Sequence, residues 1–486
     1  MVNQEEKQNN QIIPKTASQF EHLIRGILGK SFDIIIERFM TPKDEGVIVY
    51  VEGMVDKDLV DRDILYPMKT NNFDGNVELA IKAVYDTEKD MTVVIKKILE
   101  GNLILFYDNM EKVFIIEFKS WDRRSVTTPE SESVTRGPKE GFTENIQTNT
   151  SLIRRKLKTP NLTIEKMVLG RQTNTLIVLV YLEDIVNKLV LSELKRRLNT
   201  IDTDSILESG DIEQLIEKNP LSIKSGMGLT QKPDILASRI LEGRVGVMCE
   251  GTPHVLTVPE LFIENFHTSE DYYSRTFYAN FMRTLRVMAF LICILLPGVS
   301  IAIVTFSQEM LPFELLSSFI ASSEATPLPE AAEVFFLIIM FELLKEAGLR
   351  LPKTIGSAIT IVGALIIGDS AVNAGIVGAP TVIIVALTAV SSLLVPNLNE
   401  FTTMYRLLFL FLGATMGLIG IGTGIMILLI NLISTESFGI PILSSFSKEE
   451  LKDDLLRLPL RKLQYRPNAI AKNNIKRKNM DAEGDE

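Results

Sequence analysis

Hydrophobic and polar positions change their spacing twice along this chain of 486 residues. From about residue 20 to 120, short apolar runs at 47–51, 103–107 and 113–118 alternate with helical stretches such as 77–85, which predicts an α/β subdomain. Residues 123–151 turn to Ser, Thr, Glu, Pro and Gly, punctuated by Pro129 and Pro138, and read as a linker or long loop. A second α/β subdomain follows, with a buried strand at 176–181, a basic-faced helix at 185–198 and a hairpin at 243–258 that turns at Gly251. Residues 264–283 carry six aromatics, the pattern of an amphipathic segment lying at lipid headgroups.

Beyond that point the apolar runs lengthen. Residues 285–306 form a stretch of 22 with Arg286 as its only charge. As a helix it measures about 33 Å, against a hydrocarbon core of about 30 Å. Further apolar stretches lie at 331–344, 354–374, 380–395 and 407–433, the last interrupted by five glycines. The predicted organisation is subdomain 1 at 1–130, a linker and subdomain 2 at 131–283, a multispan membrane domain at 284–434 and a basic tail at 435–486. The fold class is therefore an α/β cytoplasmic region of two subdomains followed by an α-helical polytopic membrane domain.

Composition supports that division. The chain is 46% hydrophobic, with a mean hydropathy of +0.18, and residues 284–434 hold only 14 of its 112 Asp, Glu, Lys and Arg. Charge also sets orientation. Arg275, Arg283 and Arg286 flank the first apolar stretch, whereas 287–344 contains six Glu and no Lys or Arg. Lys345, Arg350 and Lys353 come next, and residues 448–478 add ten Lys and Arg. Positive residues favour the cytoplasmic side, so both termini are predicted there. That requires an even number of crossings, between four and six. Five apolar stretches conflict with it, so the glycine-broken 407–433 or the pair within 354–396 must be split, re-entrant or interfacial. The N-terminus lacks the basic start and apolar core of a secretory signal.

A net charge of -10 excludes a general nucleic-acid binder. Cys249 and Cys293 sit in polar and apolar surroundings and are not expected to pair. His22, His254 and His267 lack ligand spacing, so no metal site is expected. Neither a phosphate-binding glycine loop nor a hydrolase or metalloprotease signature occurs, so the chain is not expected to be an enzyme and no cofactor is implied.

Ionisable groups among the apolar stretches carry the functional candidates, because they are costly in lipid and face protein or water. At mid-helix Asp369 costs roughly 3 kcal/mol, which the flanking aliphatics merely offset. Asp369 and Asn373, at i and i+4, stand either on a water-filled path or subunit contact, or at a helix end in the headgroup layer. Glu342, Lys345 and Glu346 share a helix face. They form either the inner boundary of a span or a gate of ion pairs between subunits. Gly413, Gly417, Gly420 and Gly424 give two G-x-x-x-G spacings suited to close helix packing, and Gly356, Gly363 and Gly368 make a second small-residue run. Glu309, Glu314, Glu324, Glu330 and Glu333 form either an acidic mouth that concentrates cations or an ordinary solvated loop.

Several stretches together resemble the A subunits of bacterial spore germinant receptors, the GerA family. They are RGPKEGF at 136–142, NTSLIRRKL at 149–157, LEGRVGVMCEGTPHVLTVP at 241–259, PFELLSSFIASSEATPLP at 312–329, and 342–374. The resemblance spans about 130–435. It implies a non-enzymatic signal transducer in the spore inner membrane, working with a transporter-like B subunit and a lipoprotein C subunit. It also implies a homo-oligomer, proposed for the family to be a pentameric ion channel. One departure is Gln231-Lys232-Pro233-Asp234, where the family often has an acidic residue followed by Arg-Pro-Asp. Lys232 keeps the charge without the planar fork of Arg. The related stage V sporulation AF proteins share this architecture. Two competing readings are a secondary transporter, which the absence of a paired inverted repeat disfavours, and a scaffold anchored by its spans.

Overall fold

The computed structural model describes residues 13–70, 75–119, 132, 136–219, 222–324, 326–351 and 368–443, with 457–459, 465–467, 470–471 and 474–477 of the C-terminal segment. Subdomain 1 is built on an antiparallel sheet of five strands, β1 (Ile34–Met40), β2 (Glu45–Val51), β3 (Tyr85–Glu88), β4 (Leu103–Tyr107) and β5 (Val113–Ile116), in the order β1-β2-β4-β5-β3. Strand β2, interior to the sheet, is apolar at every position from 47 to 51 because both its faces are covered. Val47, Val49 and Val51 pack under helices α1 (Ala17–Leu28) and α2 (Met91–Leu99), with Phe20 stacked on Phe106 at 4.6 Å. Ile48 and Tyr50 face a second layer formed by residues 57–69 and 77–81. The helix expected at 77–85 is confined to Val77–Ala80, since Tyr85 already belongs to β3.

Subdomain 2 repeats this plan. Its strands β6 (Leu162–Leu169), β7 (Thr175–Leu182), β8 (Gly228–Thr230), β9 (Val245–Cys249) and β10 (Val255–Val258) run β6-β7-β9-β10-β8, the same order as subdomain 1. Helices α3 (Ile146–Lys156) and α6 (Pro233–Leu241) cover one face, and α4 (Lys188–Asn199) and α5 (Ser209–Ile216) the other. The duplication is one of topology, and it leaves no repeat visible in the letters. The predicted hairpin is β9-β10, with Gly251 at φ +87°. The expected linker is shorter than the polar composition implied, because Asn145 caps α3 by accepting from the amides of Gln147 and Thr148.

The aromatic segment forms a turn at Phe262–Phe266, the short helix α7 (Ser269–Tyr273) and the start of α8 (Thr276–Phe306). Four further helices follow, α9 (Phe313–Glu324), α10 (Glu330–Arg350), α11 (Ala379–Leu393) and α12 (Asn399–Ser434). Among the described residues two helices, Thr276–Phe306 and Pro396–Ser434, are long and apolar enough to cross a membrane by length and composition. The second is not straight. Gly417 has φ +61° and ψ -141°, a conformation open essentially only to glycine. Beyond it the chain folds back, so that Gly420 lies against the Leu412 carbonyl and Gly424 against the Phe409 ring. In a straight helix those pairs would stand about 12 and 22 Å apart along the axis.

The two limbs of α12, 399–416 and 418–434, therefore begin and end on the same side as the soluble subdomains. At the first limb Phe401 meets Phe262 at 5.7 Å, and after the second the Phe262 amide donates to Ile442 O at 3.1 Å. The opposite end is marked by Phe306 against Gly417 and by Gly378 beside Glu333. This fold-back splits the apolar stretch 407–433 into two limbs, while most of the stretch 354–374 lies outside the described residues.

The C-terminal segment differs from a free basic tail. Ile470 and Ala471 are 0% exposed, Ile470 packed in one core of subdomain 2 and Ala471 in the other. Two apolar side chains find water-free sites there, which a wholly solvated tail would not supply.

Candidate functional site: ion pairs that join the subdomains to the helices

Three ionic clusters lie along the chain's internal junctions. The first joins the two subdomains. Arg154 of α3 forks onto Asp33, Nε to Oδ2 and Nη2 to Oδ1, both at 2.9 Å, with side chains 1% and 2% exposed. The same guanidinium donates to Ser31 Oγ at 3.0 Å and Leu162 O at 3.3 Å, while the Ser31 hydroxyl donates to Leu162 O. Every strong acceptor in the joint thus has a donor, the condition under which a buried ion pair is tolerated.

The second cluster joins α7 to α8. Asp271 accepts from Arg286 Nη1 at 2.8 Å and Nη2 at 3.0 Å, and from Arg283 Nε at 3.3 Å. Arg286 also donates to Phe266 O and to Thr268 Oγ1. Thr268 and Asp271 form a capping box that fixes the turn of α7. Burial acts to raise the Asp271 carboxyl, but the hydrogen bonds and charge of Arg286, with Arg283 behind it, hold it below the usual carboxylate range. The arginines that sequence reading used only for orientation are therefore the handle by which the soluble region grips α8. From 276 to 306 this helix is about 46 Å long, some ten residues more than a hydrocarbon core needs, and the excess carries both arginines.

The third cluster lies among α8, α10 and α12. Glu342 accepts from Lys345 at 2.9 Å and from Arg406 at 2.9 Å, Lys345 donates to Asn399 Oδ1 at 2.6 Å, and Arg406 donates to the carbonyl and sulfur of Cys293. Arg406 is 1% exposed. Of the predicted trio, Glu342 and Lys345 come together, whereas Glu346 pairs with Arg350 on the exposed side. These contacts all lie within the one chain.

The remaining candidates are scattered. Asp369 and Asn373 are exposed, beside a turn at Gly375 with φ +62°, and touch none of the three clusters. Glu309, Glu314 and Glu324 are exposed. Glu333 is not part of that surface: it is 3% exposed, and its Oε2 accepts from Gly378 N at 2.9 Å and Thr381 Oγ1 at 3.1 Å, closing the turn into α11. Both Glu330 carboxylate oxygens are also buried, without a hydrogen-bond partner. Gly413 packs against Gly298 of α8, and Gly368 meets Val382 at van der Waals distance. Gly356 and Gly363 lie outside the described residues. Cys249 and Cys293 are both free and buried, and among the described residues no three His, Cys, Asp or Glu gather as metal ligands. Lys232 is 0% exposed, donates to Ser269 Oγ at 3.0 Å and stands 3.7 Å from Asp234 Oδ2, contacts that do not require a guanidinium fork.

Residues 22–469 match the family model described as Bacillus/Clostridium GerA spore germination protein. The chain belongs to the GerA family. Among its relatives, spore germination protein KA of Bacillus subtilis (strain 168) is 38% identical, over 98% of this chain and 91% of that protein. Spore germination protein GerLA of Bacillus cereus is 36% identical, over 86% of this chain and 88% of its own length. The crystal structure of the N-terminal domain of the A subunit of the Bacillus megaterium spore germinant receptor GerK3 is 32% identical, covering 52% of this chain and 97% of that one, with a TM-score of 0.41.

Missed in the sequence were Asp33, Asp271 and Arg406. For Arg406 a signal existed, since it is the only charge between 401 and 435 and an isolated cation in an apolar run demands a partner. Bounding the apolar stretch at 407 placed it just outside. Asp271 was signalled only by the T-x-x-D spacing from Thr268.

Proposed function

We propose that this GerA-family chain is the A subunit of a spore germinant receptor, acting without catalysis to pass a nutrient signal to helices in the spore inner membrane. The observation that carries this reading is the hold of Asp271 on Arg283 and Arg286. A soluble region bound to the entry of an apolar helix by two buried ion pairs moves that helix when it moves. The partners are a transporter-like B subunit and a lipoprotein C subunit, as in the family. The topology proposed has both termini cytoplasmic and an even number of crossings. It is supported by the fold-back at Gly417, which returns α12 to the side of the subdomains.

The helices are proposed to assemble as a ring around a cation pathway. The Glu342, Lys345 and Arg406 cluster serves as the element that rearranges on opening. Exposed Asp369 and Asn373 face a neighbouring copy or the pathway, and Glu309, Glu314 and Glu324 line the acidic mouth. The exposure of Asp369 in a single chain favours such a role, because an ionised carboxylate is poorly accommodated against lipid. Spores lacking this chain are expected to lose the response to one class of nutrient and regain it on complementation. An unchanged response to every nutrient contradicts the receptor reading. Separately, the purified chain in planar bilayers is expected to conduct cations, with altered conductance in Glu342→Gln; silence in that assay removes the pore reading alone.

A further inference from the structure

The second limb of α12 runs almost directly into a small hairpin. After Ser434 only Thr435 separates the helix from β11 (Glu436–Ser437), which pairs with β12 (Ile440–Pro441). Thr435 is itself tied to the helix, its amide and hydroxyl both donating to Asn431 O. Helix and hairpin therefore have little freedom to move apart. At the tip, Phe438 and Gly439 have φ +49° and +81°. A two-residue loop of that kind favours Asn-Gly, and a bulky aromatic at positive φ is strained unless its surroundings hold it there.

The surroundings belong to subdomain 2. Phe438 and Ile440 are 6% and 7% exposed and pack in the core that α4 and α5 cover. Arg197 of α4 lies over the Phe438 ring at 4.4 Å and is itself fixed by bonds to Glu193 and Ile216 O. Ser437, 1% exposed, donates to Gly226 O and accepts from Glu260 N at 3.3 Å. Ile442, next after Pro441, packs instead in the core among α8 and α12, with Phe262, Leu428 and Leu432. One short segment thus serves two different cores. None of these residues takes part in the hold of Asp271 on α8.

We infer that the hairpin 436–441 is a second coupling element, a clasp anchored by Phe438 through which subdomain 2 positions the end of α12, as Asp271 positions the start of α8. The inference rests on the signalling role proposed above and deepens it. Gly424 of the second limb lies against the Phe409 ring of the first, a turn of helix from Arg406, so a shift of the second limb reaches the Glu342 and Arg406 cluster.

Hydrogen exchange of the purified full chain in detergent tests the clasp without any germination readout. In Phe438→Ala, exchange in the last turns of α12, residues 425–434, is expected to quicken about tenfold or more. The pair Gly226→Cys/Ser437→Cys supplies the rescue, since a Cβ at Gly226 stands 3.1 Å from that of Ser437 and a disulfide joins them with little shift. Added to Phe438→Ala, that disulfide is expected to return α12 exchange to within about threefold of the unmodified rate, and its reduction to undo the effect. Phe438→Leu carries the same comparison where Phe438→Ala fails to fold. A residue that merely fills the core of subdomain 2 would quicken exchange in β7 and α4 alone. Unchanged α12 exchange in the folded variants, or an oxidised pair that leaves it fast, overturns the inference. In spores, Phe438→Ala is expected to slow the nutrient response by a factor that multiplies with that of Asp271→Asn. A double variant no slower than the slower single one overturns the claim of a second hold. Spores indifferent to loss of this chain, with the exchange results as expected, remove the receptor reading and leave the clasp standing.

Discussion

Arg154 and Asp33 meet as a bidentate pair, two N···O contacts of 2.9 Å, at a joint where neither side chain exceeds 2% exposure. Each charge is tolerable there only because of the other. Arg154→Met leaves Asp33 buried and uncompensated, and is expected to cost about 3–5 kcal/mol, seen as a lower unfolding temperature of the full chain. The double variant Asp33→Leu/Arg154→Met is expected to recover most of that loss. A single variant that melts like the unmodified chain contradicts the account of the joint.

Asp271 gives a prediction with a sign. Its carboxyl titrates below the unfolded value of about 3.9. Its contribution to stability is therefore complete above that value and lost as pH falls through the lower, folded one. The stability gap between the unmodified chain and Asp271→Asn should stay constant from about pH 7 to 5 and narrow only below about pH 4. Thermal melts across that range check it; a gap that closes near neutrality would mean that the arginines do not hold the carboxyl down.

Gly417 is the hinge of the α12 fold-back, and its positive φ is paired with a ψ that side chains reject. Gly417→Val is expected to destabilise the hairpin by about 1–3 kcal/mol from backbone strain alone, with Phe306 crowding the new side chain. The measurement is the amount of folded chain recovered from membranes. Gly422, which has open space around its Cβ position, is the control site for Gly→Ala.

Arg406 satisfies Glu342 and Cys293 together. Arg406→Ala should raise the exposure of Cys293 to thiol reagents, because its guanidinium covers the sulfur at 3.0 Å. Labelling kinetics in detergent read this out. No change in rate would mean that the cluster opens freely without the substitution.

Much of the soluble fold was legible because β2, β4 and β7 are buried on both faces and read as unbroken apolar runs. The two helices long and apolar enough to cross a membrane were legible from length. What was not legible depended on distance along the chain. Asp33 meets Arg154 across 121 residues, and Glu342 meets Arg406 across 64. No periodicity encodes such pairs. The spacing rule that grouped Glu342, Lys345 and Glu346 caught the local contact and missed the long one, and it drew in Glu346, which turns to Arg350 instead. Glu333 was grouped with the acidic mouth or solvated loop because only its charge was read; the amide of Gly378, which draws it inward, is 45 residues away.

The central claim is that the soluble region acts on α8 through Asp271, and nutrient-triggered loss of optical density in spores carrying Asp271→Asn tests it most directly. The account predicts a response slowed by about 5–150-fold, the usual range of a coupling free energy, at unchanged chain abundance. Partial recovery is expected when the charges are exchanged as Asp271→Arg with Arg286→Asp. Germination at the unmodified rate in Asp271→Asn spores would contradict it.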